Sequence, residues 1–280
     1  MITELAYAKI NLFLDVVGLR KDGFHEINTV MQTVSLADSV FLDAVPNEKK
    51  EISLVMEGCD LPTDERNLAY RAAAEYMNAA QLNARVALRV QKRIPMAAGL
   101  AGGSSDAAAV LRGLERIFGA LGREKLLNCA AHLGSDVPFC LLGGTRLCRG
   151  RGEVMTEVKT LLPKNYVLFC SGEAVSTPEA FRKLDEVFAP WKSDGGEKYA
   201  RFLVDPAQGG YNIFESVVLP TCARANAAKK ELLRLGAKSA LMSGSGATVF
   251  GIFESKEHAL IAAERIGGIA VTSVGTLYNG

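Results

Sequence analysis

Residues 95–106 read Pro-Met-Ala-Ala-Gly-Leu-Ala-Gly-Gly-Ser-Ser-Asp. Their types and order suit the capture of an anion. Val110, Leu114, Ile117, Phe118 and Leu121 recur at helical spacing directly afterwards, so the run empties into a helix over 105–121. Ser104 and Ser105 stand where an N-cap belongs. The first turn of a helix leaves backbone N–H groups unpaired and carries partial positive charge. Glycines ahead of it let the backbone close on a ligand, and phosphate is the usual one. The run is not a P-loop, because no lysine precedes Ser104. Nor do Gly99, Gly102 and Gly103 have dinucleotide-fingerprint spacing. On spacing alone, phosphate binding and close packing of small residues are equally good readings. Asp106 suits the helix dipole, yet its charge would repel a phosphate unless a lysine or metal intervenes.

Other groups could join such a site. Lys9 and Asn11 share a face of an alternating strand. A lone lysine there is more often solvated, unless the face turns toward the glycine-rich run, where an ammonium would balance phosphate charge. Asp136 lies in Gly134-Ser135-Asp136-Val137-Pro138 after a helix. Gly134 reads as the residue that ends that helix, Pro138 as a block to its continuation, and Asp136 as a turn-forming Asx residue. Near phosphates the same carboxylate could take a proton from a substrate hydroxyl, help worth about 10²–10⁴ in rate. Ser243-Gly244-Ser245-Gly246 joins two strands and offers further N–H groups and hydroxyls. Phe24 and His25 follow a turn, where a ring and an imidazole could stack on and edge-bond a base. Phe181, near the start of the helix expected at 178–187, could form the opposite wall; ordinary core packing is a stronger reading for it than for Phe24.

The rest of the chain must position these groups. With 280 residues it can bury one large core or two modest ones. A net charge of +1 gives no nucleic-acid footprint. No segment reaches the roughly 18–20 apolar residues of a membrane span. Glu4 and Lys9 interrupt any signal-peptide core. Six cysteines without a CxxC pair read as reduced, mostly buried thiols, and the chain is expected to be cytoplasmic. Three scattered histidines argue against a histidine zinc site.

Strand patterns are expected at 5–16, 28–44, 51–57, 86–94, 141–147, 153–158, 166–171, 240–242, 247–253 and 269–274. Arg20 to Gly23 reads as a hairpin turn. Helices are expected at 67–80, 105–121, 123–133, 178–187, 224–235 and 256–266. Residues 190–210, with Gly195, Gly196, Gly209 and Gly210, read as an insertion holding a short helix. The second half then follows β-α-(insert)-α-β-β-α-β, a ferredoxin-like layer. The fold class is α+β with two domains, 1–160 and 161–280, the junction falling near 155–165.

In this order the pieces resemble the small-molecule kinase superfamily of galactokinase, homoserine kinase, mevalonate kinase and phosphomevalonate kinase. The resemblance rests on Ala8-Lys9-Ile10-Asn11-Leu12, on Pro95 to Ser105, and on Met242-Ser243-Gly244-Ser245-Gly246-Ala247. With Asp22-Gly23-Phe24-His25, Gly-Gly-Ser-Ser and Gly134-Ser135-Asp136-Val137-Pro138, the chain is most similar to the 4-diphosphocytidyl-2-C-methyl-D-erythritol kinases of the non-mevalonate isoprenoid route. The likeness runs over essentially the full length. It implies a two-domain kinase fold with the active site in the cleft between an N-terminal β-α domain and a C-terminal ferredoxin-like domain. It implies ATP-dependent phosphorylation of the 2-hydroxyl of the methylerythritol unit, with ATP as co-substrate and Mg²⁺ beside it.

By the same resemblance, Asp136 matches the catalytic aspartate and Lys9 its partner. Pro95, Met96, Ala97, Ala98, Gly99, Leu100, Ala101, Gly102, Gly103, Ser104 and Ser105 match the ATP phosphate site, and Asn67, Leu68 and Lys92 the adenine region. Phe24 and Phe181 match the pair that sandwiches cytosine, and His25 the residue that reads its edge. Asn11, Thr177, Gly244, Ser245 and Gly246 fall on the acceptor side. The partner implied is a small cytidine diphosphate-linked molecule, with no nucleic acid and no membrane; monomer and homodimer both stay open. Ser104, Ser105 and Asp106 are the metal-ligand candidates. Relatives often have glycine at 97, 98 and 101; alanine there predicts negative φ. Tyrosine is common at 24, and Phe24 keeps the ring without the hydroxyl. The alternatives are another kinase of the superfamily, of homoserine or mevalonate type, and a nucleotide-binding sensor without chemistry. Phe24-His25 speaks against the first, and intact Lys9 and Asp136 against the second.

Overall fold

Strand β1 (Ile2–Leu19) folds back on β2 (His25–Pro46) through the tight turn at Arg20 to Gly23. The turn is closed by Gly23 N–H to the Arg20 carbonyl and Arg20 N–H to the Phe24 carbonyl. The computed structural model describes residues 1–158, 162–191 and 196–279. Around the β1–β2 ribbon the first sheet has the order β3 (Glu51–Glu57), β4 (Ala84–Gln91), β2, β1, β8 (Tyr211–Asn212). β5 (Thr145–Gly150) pairs with β2 farther along, and β6 (Val154–Glu157) pairs with β5. Alternation along β2 and β4 buries Val40, Leu42, Val86, Leu88 and Val90. Helices α1 (Leu68–Ala79), α2 (Gly102–Phe118), α3 (Gly122–Leu133) and α4 (Val137–Leu142) share that core. Ala69, Ala72, Ala73, Ala107, Ala108 and Ala109 let the helix backbones approach closely.

The second half supplies β7 (Asn165–Cys170), α5 (Thr177–Phe188), α6 (Glu197–Val204), α7 (Glu215–Val218), a 3₁₀ turn at Leu219–Thr221, and α8 (Ala223–Arg234). β9 (Ser239–Met242), β10 (Thr248–Phe253), α9 (Lys256–Ile266) and β11 (Ile269–Thr272) complete it. Its sheet runs β11-β7-β10-β9, all antiparallel. That is the expected ferredoxin-like layer. The expected helix in the insertion is α6. The junction expected at residues 160 and 161, and Gly195, lie outside the described residues. The halves are laced together: β8 adds to the first sheet beside β1, and residues 273–279 return to the first half, where Leu277 N–H bonds the Leu142 carbonyl.

Several local expectations are corrected. Ser104 and Ser105 do not cap α2; the helix starts at Gly102, with Ala101 as the cap residue and no side-chain cap bond. Leu141 and Leu142 end a helix and do not open a strand. Pro138 sits in the first turn of α4 and starts that helix, as proline can at a first turn. The strand begins at Thr145 after Gly143 and Gly144 turn the chain. Gly134 closes α3 with extended backbone, φ 167°. Ala97 and Ala101 adopt φ of 51° and 58°, not the negative values expected. The tethers on the loop override the alanine preference. Lys9 N–H bonds the Leu100 carbonyl, Ser105 N–H bonds the Ala101 carbonyl, and two donors reach Gly99.

Candidate active site

A bulge in β1 between Asn11 and Phe13 interrupts the strict alternation. Lys9 and Asn11 are both buried, at 4% and 2% exposure, so the solvated reading of Lys9 does not hold. The Lys9 ammonium donates to Asn11 Oδ1 at 2.8 Å and to the Gly99 carbonyl at 3.1 Å. It stands 4.0 Å from Asp136 Oδ2. Asn11 in turn donates to Thr29 Oγ1, which donates to the Phe13 carbonyl. Asp136 occupies the N-terminal boundary of α4, and its side chain makes no cap hydrogen bond. The carboxylate is therefore not consumed by an Asx turn.

Three elements carry these groups, and α2 ties them together. Ser105 Oγ donates to the Tyr7 carbonyl at 2.6 Å and lies 3.3 Å from Cys140 Sγ. The Arg112 guanidinium, buried in α2, donates to the Cys140 carbonyl at 2.9 Å and to the Leu5 carbonyl at 2.8 Å. A charged strut thus fixes β1, which bears Lys9, against α4, which follows Asp136. Beneath the loop, Asp38 is fully buried and accepts from Lys92, from Arg93 N–H and from Ile94 N–H. Lys92 also donates to Asp106 at 2.6 Å. Here is the lysine that the Asp106 charge required. Burial pushes the Asp106 carboxyl up to about 7, against the pull of Lys92, and nearby Asp38 adds to the rise.

A cavity of about 710 Å³ opens between the halves. Lys9, Asn11, Phe24, His25, Gly99, Ala101, Ser104, Asp136, Thr177, Phe181, Gly244 and Ser245 all line it. Thr177 Oγ1 and Ser245 Oγ are 2.7 Å apart and bridge α5 to the C-terminal glycine-rich loop. Phe24 is half exposed, with the Arg151 guanidinium 4.5 Å from its ring centroid. Phe181 does not stand open opposite Phe24. The His25 ring stacks on it at 4.5 Å, and Phe214 meets it edge-on at 4.9 Å.

The remaining predicted residues lie elsewhere. Pro95, Met96, Ala97 and Ala98 line a separate space of about 100 Å³ against Ser171 and Thr248. Leu100 is in the core, and Ser105 is turned inward. Gly102 faces the Lys92 ammonium, and Gly103 faces Leu68. Asn67 caps α1 by accepting from Ala69 N–H. Gly246 does not line the large cavity. Reading the sequence missed Arg151, Asp185 and the Arg112 strut. Asp185 had a signal: Thr177, Phe181 and Asp185 repeat at four-residue spacing on one face of α5.

The profile of the GHMP kinases N terminal domain matches residues 67–144, and that of the GHMP kinases C terminal domain matches 203–269. A 4-diphosphocytidyl-2-C-methyl-D-erythritol kinase of Pelotomaculum thermopropionicum is 42% identical over 271 residues, 95% of this chain and 93% of its own. One of Acetivibrio thermocellus is 40% identical over 267 residues, 92% of each chain. The chain belongs to the 4-diphosphocytidyl-2-C-methyl-D-erythritol kinase family. A crystal structure of 4-(cytidine 5'-diphospho)-2C-methyl-D-erythritol kinase superposes with a TM-score of 0.80 at 36% identity, covering 98% of this chain and 99% of that one. As a member of this GHMP kinase family, the chain is an ATP-dependent phosphotransferase of isoprenoid biosynthesis. No helix among the described residues is long and apolar enough to cross a membrane.

Proposed function

We propose that this kinase transfers the γ-phosphoryl group of ATP to the 2-hydroxyl of 4-diphosphocytidyl-2-C-methyl-D-erythritol. The observation that carries this reading is the position of one ammonium. Lys9 Nζ touches the glycine-rich loop at the Gly99 carbonyl and lies 4.0 Å from the Asp136 carboxylate. A base and a phosphate site are thereby brought to the same charge. Asp136 accepts the proton of the 2-hydroxyl as its oxygen attacks the γ-phosphorus and the bond to the β-phosphate oxygen breaks. Lys9 offsets the negative charge that collects there. The unpaired N–H groups at the start of α2, with Gly99, Ala101 and Ser104 facing the cavity, receive phosphate oxygens. Phe24 and the Phe181–His25 stack form the walls of the base pocket, and Thr177 and Ser245 stand on the acceptor side.

A nucleotide-bound Mg²⁺ fits the residues present. Asp106 is tied to Lys92, and the Ser105 hydroxyl to the Tyr7 carbonyl. Ser104 is left on the cavity wall. One hydroxyl oxygen with phosphate oxygens and water is a donor set that Mg²⁺ takes. Ser104 would hold the ion, which when bound neutralises phosphate charge.

The test is ADP release with ATP against four acceptors: the diphosphocytidyl methylerythritol, homoserine, mevalonate and galactose. Turnover confined to the first is expected. Preference for any of the others would overturn the assignment.

A further inference from the structure

The base pocket holds an acid that none of the motifs marks. Asp185 Oδ1 lies 2.8 Å from His25 Nε2 and accepts from Trp191 Nε1 at 2.9 Å. Partial burial raises the Asp185 carboxyl, but the bonds from His25 and Trp191 outweigh it and hold the group below its usual value. An indole N–H can only donate. An ionised carboxylate oxygen can only accept, so the His25 nitrogen facing it must bear a proton. The ring is held in place as well: stacked on Phe181, edge-on to Trp191 at 5.7 Å, and only 11% exposed in its side chain. Among the described residues Nδ1 has no hydrogen-bond partner.

We propose that Asp185 is a positioning residue that fixes neutral His25 as the Nε2–H tautomer, leaving Nδ1 as an acceptor, and so selects a pyrimidine bearing an exocyclic amine over one bearing a carbonyl. The inference rests on the pocket assignment above and deepens it. Cytosine offers an N–H donor at the position where uracil offers an oxygen. Placed against an acceptor nitrogen, the first forms a hydrogen bond. The second sets two lone pairs against each other and leaves both unpaired, the kind of mismatch through which a polar site rejects an analogue. Asp185 acts through His25, as the partners that orient ligating histidines do.

The experiment has two arms. In the first, ¹⁵N NMR of the full chain without substrate reads the His25 tautomer, assigned with the His132→Gln and His258→Gln variants. A protonated Nε2 and an unprotonated Nδ1 in the neutral ring are expected. The opposite tautomer overturns the proposal, and this readout needs no turnover. In the second, Asp185→Leu is compared with the native chain on the cytidine-linked acceptor and its uridine-linked analogue. Leucine offers Nε2–H no acceptor, so the ring is no longer held as that tautomer. The variant should raise KM for the cytidine-linked acceptor about 10- to 100-fold, with a smaller change in kcat and KM for ATP within about twofold. Its cytidine-over-uridine ratio of kcat/KM should fall at least about tenfold, and Asp185→Glu should restore part of it. An unchanged ratio overturns the proposal. If the native chain turns over neither acceptor, the proposed function fails and base selection with it, while the tautomer still decides the Asp185–His25 arrangement.

Discussion

Ser243 Oγ donates to the Gly99 carbonyl at 2.9 Å, and Lys9 Nζ donates to the same oxygen at 3.1 Å. One backbone carbonyl therefore joins both glycine-rich loops and the ammonium. The site is rigid where two halves of the chain meet, because that oxygen accepts from each.

Gly99 has no room for a side chain. At φ +75° an added Cβ would lie 2.3 Å from the Ser243 carbonyl oxygen. Gly99→Ala meets that clash on top of about 1–2 kcal/mol for left-handed backbone. The expected result is a lower urea midpoint and a KM for ATP raised about tenfold or more, a loss of about 1.4 kcal/mol in binding. Native ATP kinetics would contradict the loop-to-loop contact.

Asp136→Asn keeps the shape and removes the proposed base. Its kcat should fall by about 10²–10⁴-fold, with ATP affinity, read by fluorescence titration, close to native. Near-normal ADP release would refute the base assignment.

Lys9→Met removes the ammonium that touches both loop and carboxylate. A kcat loss of about 10²–10³-fold is expected, the size seen when one charge-stabilising donor is removed. A rise in KM with unchanged kcat would mean instead that Lys9 only binds the ground state.

Lys92→Met strands Asp38 and Asp106, two buried carboxylates, without their shared cation. Breaking a buried pair in this way costs about 3–5 kcal/mol, to be read as a drop in unfolding free energy. Lys92→Met with Asp106→Asn should recover part of it; no recovery would show that the Lys92–Asp106 contact is not part of the cost.

Phe24→Ala removes one wall of the proposed base pocket. Stacking on an aromatic ring is worth about 1–3 kcal/mol, so KM for the cytidine-linked acceptor should rise about 5- to 150-fold, with KM for ATP unchanged. Equal losses for both substrates would place Phe24 outside the base pocket.

Much of this was legible because local signals and tertiary packing agreed. Val86 to Val90 alternates, and its strand feeds a loop and a helix whose apolar stripe is plain. The Lys9 face could be assigned only conditionally, since alternation cannot say whether a polar face meets water or a second half of the chain. Residues 137–142 form an apolar run too short for periodicity to separate helix from strand, and a proline after a helix-ending glycine suits a stop and a start equally. Ala97 and Ala101 defied their intrinsic preference because hydrogen bonds from Lys9 and Ser243 hold the loop. The Asp38–Lys92–Asp106 group and the Arg112 strut join residues distant in sequence. No spacing rule announces them, although Asp106 beside a candidate phosphate site signals the need for a nearby cation.

Residues 273–279 return to the first half, where Leu277 N–H bonds the Leu142 carbonyl at the end of the helix that follows Asp136. During synthesis these partners emerge about 135 residues apart, roughly 7–27 s at the usual rate of translation. The nascent first half must wait that long with its last helix untied and part of its apolar surface uncovered. A ribosome-bound chain stopped before residue 273 therefore offers a chaperone or a protease apolar surface that the folded chain covers.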